Sequence, residues 1–207
     1  RFLDVSPIEN CPLNTQPLHN NVNPGNLDGN LSNLAQIRRE HLSNPRIAYL
    51  NINSLRGNKL HLLRDVLNEI PLDIICIDET KLTCDFPDFQ FNIDGYHHPP
   101  YRRDRNKKLS TRGGGKMVYV KKGLITKRLN SFETSNAETI CVELNTSGRK
   151  WFILFAYRPE SIDRILFFEE ISICLGKAVK NYDYVILAGD LNVDMDIPTT
   201  DTKGLLS

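Results

Sequence analysis

The sequence lacks any stretch that approaches the ~20 consecutive apolar residues of a membrane-spanning helix. It begins Arg1-Phe2-Leu3-Asp4, without the basic-then-apolar pattern of a secretory leader. It is also poor in cysteine of the kind that builds scaffolds. Its five cysteines (Cys11, Cys76, Cys84, Cys141, Cys174) are odd in number, widely spaced and free of any Cys-x-x-Cys pair, which excludes a disulfide framework and a cysteine zinc site. Cys76, Cys141 and Cys174 lie inside apolar runs and are expected to be small buried hydrophobes. These absences lead to an expectation of an intracellular, non-secreted protein without a membrane partner. Net charge is equally scarce: +1 over 207 residues. The total therefore says nothing about partners, and there are no internal repeats to suggest an array.

What is present suffices for a core. Apolar residues make up 40% and charged residues 25% of the chain, and its length suits one domain of about 150 residues plus a tail. Residues 1–45 form the tail on this reading. They are rich in Asn, Pro and Gly, with scattered apolar residues that cannot offset the entropy of ordering, apart from a short helix expected over Leu31–Leu42. The pattern changes at Pro45. Ile47–Ile52 reads as a buried strand; Leu60, Leu63, Leu67 and Ile70 recur at helical spacing up to Pro71; Leu72–Ile77 reads as a second buried strand. Strands are also expected at Met117–Val120, Thr139–Leu144, Trp151–Tyr157 and Tyr184–Ala188, with a turn at Thr146-Ser147-Gly148. A helix should present Phe168, Ile171, Leu175 and Val179 on one face. Fully apolar strands alternating with helices predict an α/β fold.

Four polar clusters end four of these strands: Asn51-Ile52-Asn53, Asp78-Glu79-Thr80, Tyr157-Arg158 and Asp190-Leu191-Asn192. Strand ends are where α/β folds gather chemistry. In extended chain, residues two apart point the same way, so Asp190 with Asn192, and Asn51 with Asn53, are each expected to face one spot. A carboxylate can bind a hard cation or take a proton from water, and an amide can steady a charged phosphoryl oxygen. Each cluster alone also reads as an ordinary polar turn. One further asymmetry stands out: between Tyr101 and Arg128 there are eleven Lys or Arg and a single acid, Asp104, a candidate phosphate-facing surface or else a solvated loop.

Taken in order, Leu50-Asn51-Ile52-Asn53-Ser54-Leu55, Ile75-Cys76-Ile77-Asp78-Glu79-Thr80, Gly113-Gly114-Gly115, Ala156-Tyr157-Arg158-Pro159 and Gly189-Asp190-Leu191-Asn192 resemble the motifs of the endonuclease/exonuclease/phosphatase superfamily over about residues 46–194. The spelling, with Tyr101–Arg105 ahead of the glycines, is closest to the apurinic-like endonuclease of non-LTR retrotransposons. The resemblance implies a two-sheet α/β sandwich with helices outside, occupying 46–207. It implies Mg²⁺, or Mn²⁺ in its place, with Glu79 as main metal ligand and Asn51 beside it. Asp190 would orient or deprotonate the attacking water, Asn192 would steady the phosphoryl transition state and Tyr157 would touch the scissile phosphate. Arg102, Arg105, Arg112 and Arg158 would track DNA. The implied reaction is nicking of DNA for retrotransposition, in the nucleus, beside a reverse transcriptase region and element RNA.

The sequence departs from the family pattern after Asp190. No histidine follows it, and no Ser-Asp-His strand appears. On that ground the fold is expected to be incomplete at its C-terminus and the fragment inactive. Asn53 stands where many relatives carry an acid, and Glu160 where a second proline is commoner. The alternatives are a non-catalytic retrotransposon remnant or DNA-binding piece, and a phosphatase or phosphodiesterase of the same superfamily.

Overall fold

A computed structural model of the chain describes residues 44–70, 72–106 and 113–193. The expected tail helix over 31–42 lies outside the described residues. Two four-stranded mixed sheets make up the fold. The first has the order β1 (Ile47–Asn51), β2 (Ile74–Asp78), β4 (Lys116–Val120), β3 (Tyr101–Arg103). The second has the order β5 (Ile125–Arg128), β6 (Glu138–Thr146), β7 (Arg149–Tyr157), β8 (Tyr184–Asp190). Within each, one pair is parallel and joined through a helix: β1 to β2 through α1 (Lys59–Glu69), and β7 to β8 through α2 (Arg164–Ala178).

Alternation of side chains along each strand gives every sheet two apolar faces. On the outer face of the first, Leu63 and Leu67 of α1 pack with Ala48, Ile75, Ile77, Met117 and Tyr119. On the outer face of the second, Phe167, Ile171, Cys174 and Ala178 of α2 pack with Cys141, Phe152, Leu154 and Ala156. The remaining faces carry Ile74, Cys76 and Val118, and Ile140, Val142, Ile153 and Phe155, all fully buried where the two sheets meet. This is the two-sheet α/β sandwich with outer helices that the resemblance implies. Cys76, Cys141 and Cys174 are buried free thiols, as their apolar surroundings suggest. Among the described residues no helix is long and apolar enough to cross a membrane.

Several local expectations change. The fully buried residues of α2 are Phe167, Ile171, Cys174 and Ala178; of the expected stripe Ile171 is among them, Phe168 and Leu175 pack half-buried against the same cluster, and Val179 is exposed at the helix end. That helix is apolar nearly all round, so periodicity alone does not fix which stripe meets the sheet. Strands β3 and β5 have no counterpart in the sequence reading because they are short, half-buried and charged, as edge strands usually are. The β6–β7 turn does fall at Ser147-Gly148, both with φ above zero (52° and 73°), the conformation of a two-residue hairpin loop.

Candidate active site

The two parallel β-α-β units carry the C-terminal ends of β1, β2, β7 and β8 to one rim. Asn51 pairs in register with Asp78, and Tyr157 pairs with both Asp190 and Glu138. The four polar clusters therefore converge, and they do so across the two sheets. Glu79 is the meeting point. Its Oε1 accepts from Asn51 Nδ2 at 2.9 Å, from the first sheet, and from the Tyr157 hydroxyl at 3.3 Å, from the second. Its Oε2 has the Lys81 ammonium at 3.9 Å. The carboxylate side chain is 19% exposed, enough for a ligand to reach it.

The backbone at this rim is not extended. Asn53, Glu79, Lys81 and Asn192 have φ of 48°, 53°, 56° and 50°. Non-glycine residues adopt this left-handed conformation at a cost, and such strain clusters at functional sites. It also overturns the same-face expectation for both asparagine pairs. Asn53 does not stand beside Asn51: its amide nitrogen donates back to Asn51 Oδ1 (3.1 Å) and its own Oδ1 accepts from the Lys81 ammonium. Asn192 turns its Nδ2 onto Arg158 O (2.6 Å), while its amide nitrogen donates to Asp190 Oδ1 (3.1 Å). The two-residue rule fails here because the strands end at Asn51 and Asp190 and the next residues coil.

Beneath Glu79 runs the loop Gly113-Gly114-Gly115, where side chains would not fit. A Cβ on Gly113 would lie 2.8 Å from the Tyr157 hydroxyl and 3.3 Å from Glu79 Cδ. Gly189 answers a similar need in β8, where a Cβ would run into Ala156 O of β7. Tyr157 itself is buried. Burial first, then the Glu79 charge and its hydrogen bond to Glu79, push the Tyr157 phenol well above the ordinary tyrosine range, so it is a hydrogen-bond donor throughout the physiological range.

Two of the residues expected on a basic surface are enclosed by the fold. The Arg158 guanidinium is buried and donates to Leu191 O (2.8 Å), Ile162 O (2.9 Å) and Asn192 O (2.6 Å). It ties the β7 end to the turn after β8 instead of facing a nucleic acid. Arg102 is likewise enclosed, donating to Thr83 O, Phe86 O, Asp88 and Asp104. Lys116 is fully buried against Asp78. Loop carbonyls and a buried acid need donors, and these cations supply them. Arg105 is half-buried, and Arg112 lies outside the described residues. Cations that do rim the site come from elsewhere: Lys81, Lys59, whose ammonium donates to Ile52 O and Asn53 O, and exposed Arg56, stacked over Phe86. A signal for them was the placement of Lys81 two residues after Glu79, and of Arg56 and Lys59 just past Asn53.

Comparison with known proteins agrees with this architecture. The Endonuclease/Exonuclease/phosphatase family matches residues 48–203. No curated protein sequence matches the chain. Among solved structures, the endonuclease domain of TRAS1, a telomere-specific non-LTR retrotransposon, is similar with a TM-score of 0.58 at 14% identity, covering 78% of this chain and 69% of that one. The AP endonuclease LMAP from Leishmania major gives 0.55 at 20% identity, covering 70% and 54%. TDP2 from D. rerio, complexed with a single-strand DNA product, gives 0.53 at 15% identity, covering 78% and 64%. The chain thus spans about half the length of the Leishmania enzyme. These identities speak to fold, while the family match extends over most of the chain and takes in every residue of the rim. With four strand ends converging on Glu79 in two packed mixed sheets, the chain belongs to the endonuclease/exonuclease/phosphatase family, whose members are hydrolases.

Proposed function

We propose that this domain hydrolyses phosphodiester bonds in DNA with the help of a divalent metal, Mg²⁺ or Mn²⁺, in the manner of a retrotransposon endonuclease. The observation that carries the reading is Glu79, a carboxylate with one oxygen held by Asn51 and Tyr157 from two different sheets and the other turned to the rim. The donor set fits such an ion. A hard cation takes oxygen ligands, keeps several waters and needs only one or two carboxylates. Among the described residues no group of three His, Cys, Asp or Glu gathers, so water would complete the shell. Glu79 would hold the ion with the Asn51 carboxamide beside it. When bound, the ion supplies Lewis-acid activation of a phosphoryl oxygen.

The remaining roles fall to the chain's own groups. The Tyr157 hydroxyl keeps its proton, and that one hydrogen, now on Glu79 Oε1, can pass to a phosphate oxygen when substrate arrives. Asp190, in register with Tyr157, orients the attacking water and receives its proton. The Asn192 carboxamide uses one hydrogen to fix the Arg158 carbonyl, and its second is the one that would steady the phosphoryl oxygen. Arg56, Lys59 and Lys81 supply positive charge for the flanking phosphates.

The test is conversion of supercoiled plasmid to the nicked form by the gene product carrying this domain. Nicking is expected only with Mg²⁺ or Mn²⁺, and to be lost in Glu79→Gln. Hydrolysis of a soluble phosphomonoester without plasmid nicking would assign the site to small substrates. Salt-dependent DNA binding with no cleavage in either metal would leave a non-catalytic binder.

A further inference from the structure

One buried carboxylate takes no part in the roles above. Glu138 opens β6 and is only 1% exposed. A carboxylate out of water is costly unless its lone pairs are met by hydrogen bonds. Glu138 Oε2 accepts from Gly115 N at 2.7 Å and Oε1 from Asn106 N at 3.4 Å, while the positive charges of Lys116 and Arg103 act on it from further off. The contact is close-packed: a Cβ on Gly114 would lie 2.6 Å from Glu138 Oε1.

The pinned loop in turn holds the segment after Glu79. Gly115 O accepts from Thr80 N at 3.0 Å and Gly114 O from Lys81 N at 2.9 Å. A Cβ on Gly115 would press on Thr80 Oγ1 at 2.5 Å. Glu79 sits between Asp78, locked in β2, and Thr80, locked to the loop, in its left-handed conformation. On the other side Glu138 is the register partner of Tyr157. One carboxylate is therefore connected to both groups that define the rim.

We infer that Glu138 is a positioning residue: it clamps the glycine loop so that Glu79 is aimed at the metal and Tyr157 stays against it. The inference rests on Glu79 being the metal ligand proposed above. It is tested with the 207-residue chain by Mn²⁺ titration followed by electron paramagnetic resonance, together with backbone amide NMR. Glu138→Leu, which removes the acceptor but keeps the volume, should weaken Mn²⁺ binding about tenfold or more, as loss of an orienting partner does at other metal sites. Its Thr80 and Lys81 amides should shift while Tyr184, at the far end of β8, stays put. Glu138→Gln keeps an acceptor for Gly115 N and should match the wild type in both readouts. Wild-type Mn²⁺ affinity in folded Glu138→Leu overturns the inference, as does equal loss in Glu138→Gln. Should Glu138→Leu fail to fold, Glu138→Asp, one methylene shorter, should show the same weakening, and wild-type binding there overturns it equally. A wild-type chain that binds no Mn²⁺ overturns the metal reading instead. The amides then decide the clamp alone: unmoved Thr80 and Lys81 in the variant remove it.

Discussion

Gly113→Ala is the perturbation that best separates the site from the fold. Gly113 is not among the glycines with positive φ, so alanine suits its backbone. By itself that exchange narrows the unfolded ensemble and contributes about 0.4–1 kcal/mol of stability. The added methyl, however, would sit 2.8 Å from the Tyr157 hydroxyl and 3.3 Å from Glu79 Cδ. Ordinary carbon contacts begin near ~3.5 Å, so the hydroxyl must withdraw by roughly 0.7 Å. The Tyr157–Glu79 hydrogen bond is already 3.3 Å long, and such a shift carries it past the distance at which it counts as one. Losing it costs about 1 kcal/mol, roughly a fivefold drop in metal affinity, and displacement of the Glu79 carboxyl brings the total to about tenfold. Crowding and backbone gain largely cancel in the fold, leaving the melting temperature within about 4 °C of wild type. Mn²⁺ titration and thermal unfolding on the same preparation read both quantities. Unchanged Mn²⁺ affinity would refute the account of the glycine wall, and a collapse in melting temperature would show that Gly113 serves the fold instead.

Arg158→Met should act on the fold. It strips donors from three buried or half-buried carbonyls and is expected to cost roughly 3 kcal/mol in thermal or denaturant unfolding, with the salt dependence of DNA binding unchanged. A shallower salt slope with full stability would return Arg158 to the DNA surface. Burial raises the Glu138 carboxyl above its usual range, against the pull of its Gly115 and Asn106 donors. The fold therefore prefers the protonated acid. That contribution is full below the unfolded pKa and is lost as pH rises through the raised folded one. Wild type should lose melting temperature relative to Glu138→Gln, neutral throughout, as pH rises above the ordinary glutamate range of about 4. A difference independent of pH would contradict the burial argument.

The fold class is legible because every central strand is a continuous apolar run, and because two helices sit between strands that must then pair in parallel. The location of the site is legible for the same reason: Asn51, Glu79, Tyr157 and Asp190 lie in the polar clusters that close those runs. What the sequence does not carry is direction. Positive φ at Asn53 and Asn192 breaks the two-residue rule where the chemistry lies, because the strands end at Asn51 and Asp190 and the chain coils beyond them. Charge is equally opaque in one dimension. Arg102 and Arg158 look like a basic face until the carbonyls around them are seen, whereas for Arg56, Lys59 and Lys81 the signal is only their place just after Asn53 and Glu79. Glu138 carries the same signal as Glu79, an acid adjoining an apolar strand, but opens its strand instead of closing it.

The most direct test of the central claim is Mn²⁺ binding by the wild-type chain and by Glu79→Gln, followed by electron paramagnetic resonance. The substitution preserves the acceptor for Asn51 and Tyr157 and removes only the charge, so the fold should survive it. One saturable Mn²⁺ site in the wild type, displaced by Mg²⁺ and absent in Glu79→Gln, is the predicted result. Equal Mn²⁺ binding by both proteins would contradict the assignment of Glu79 and the metal-dependent chemistry built on it.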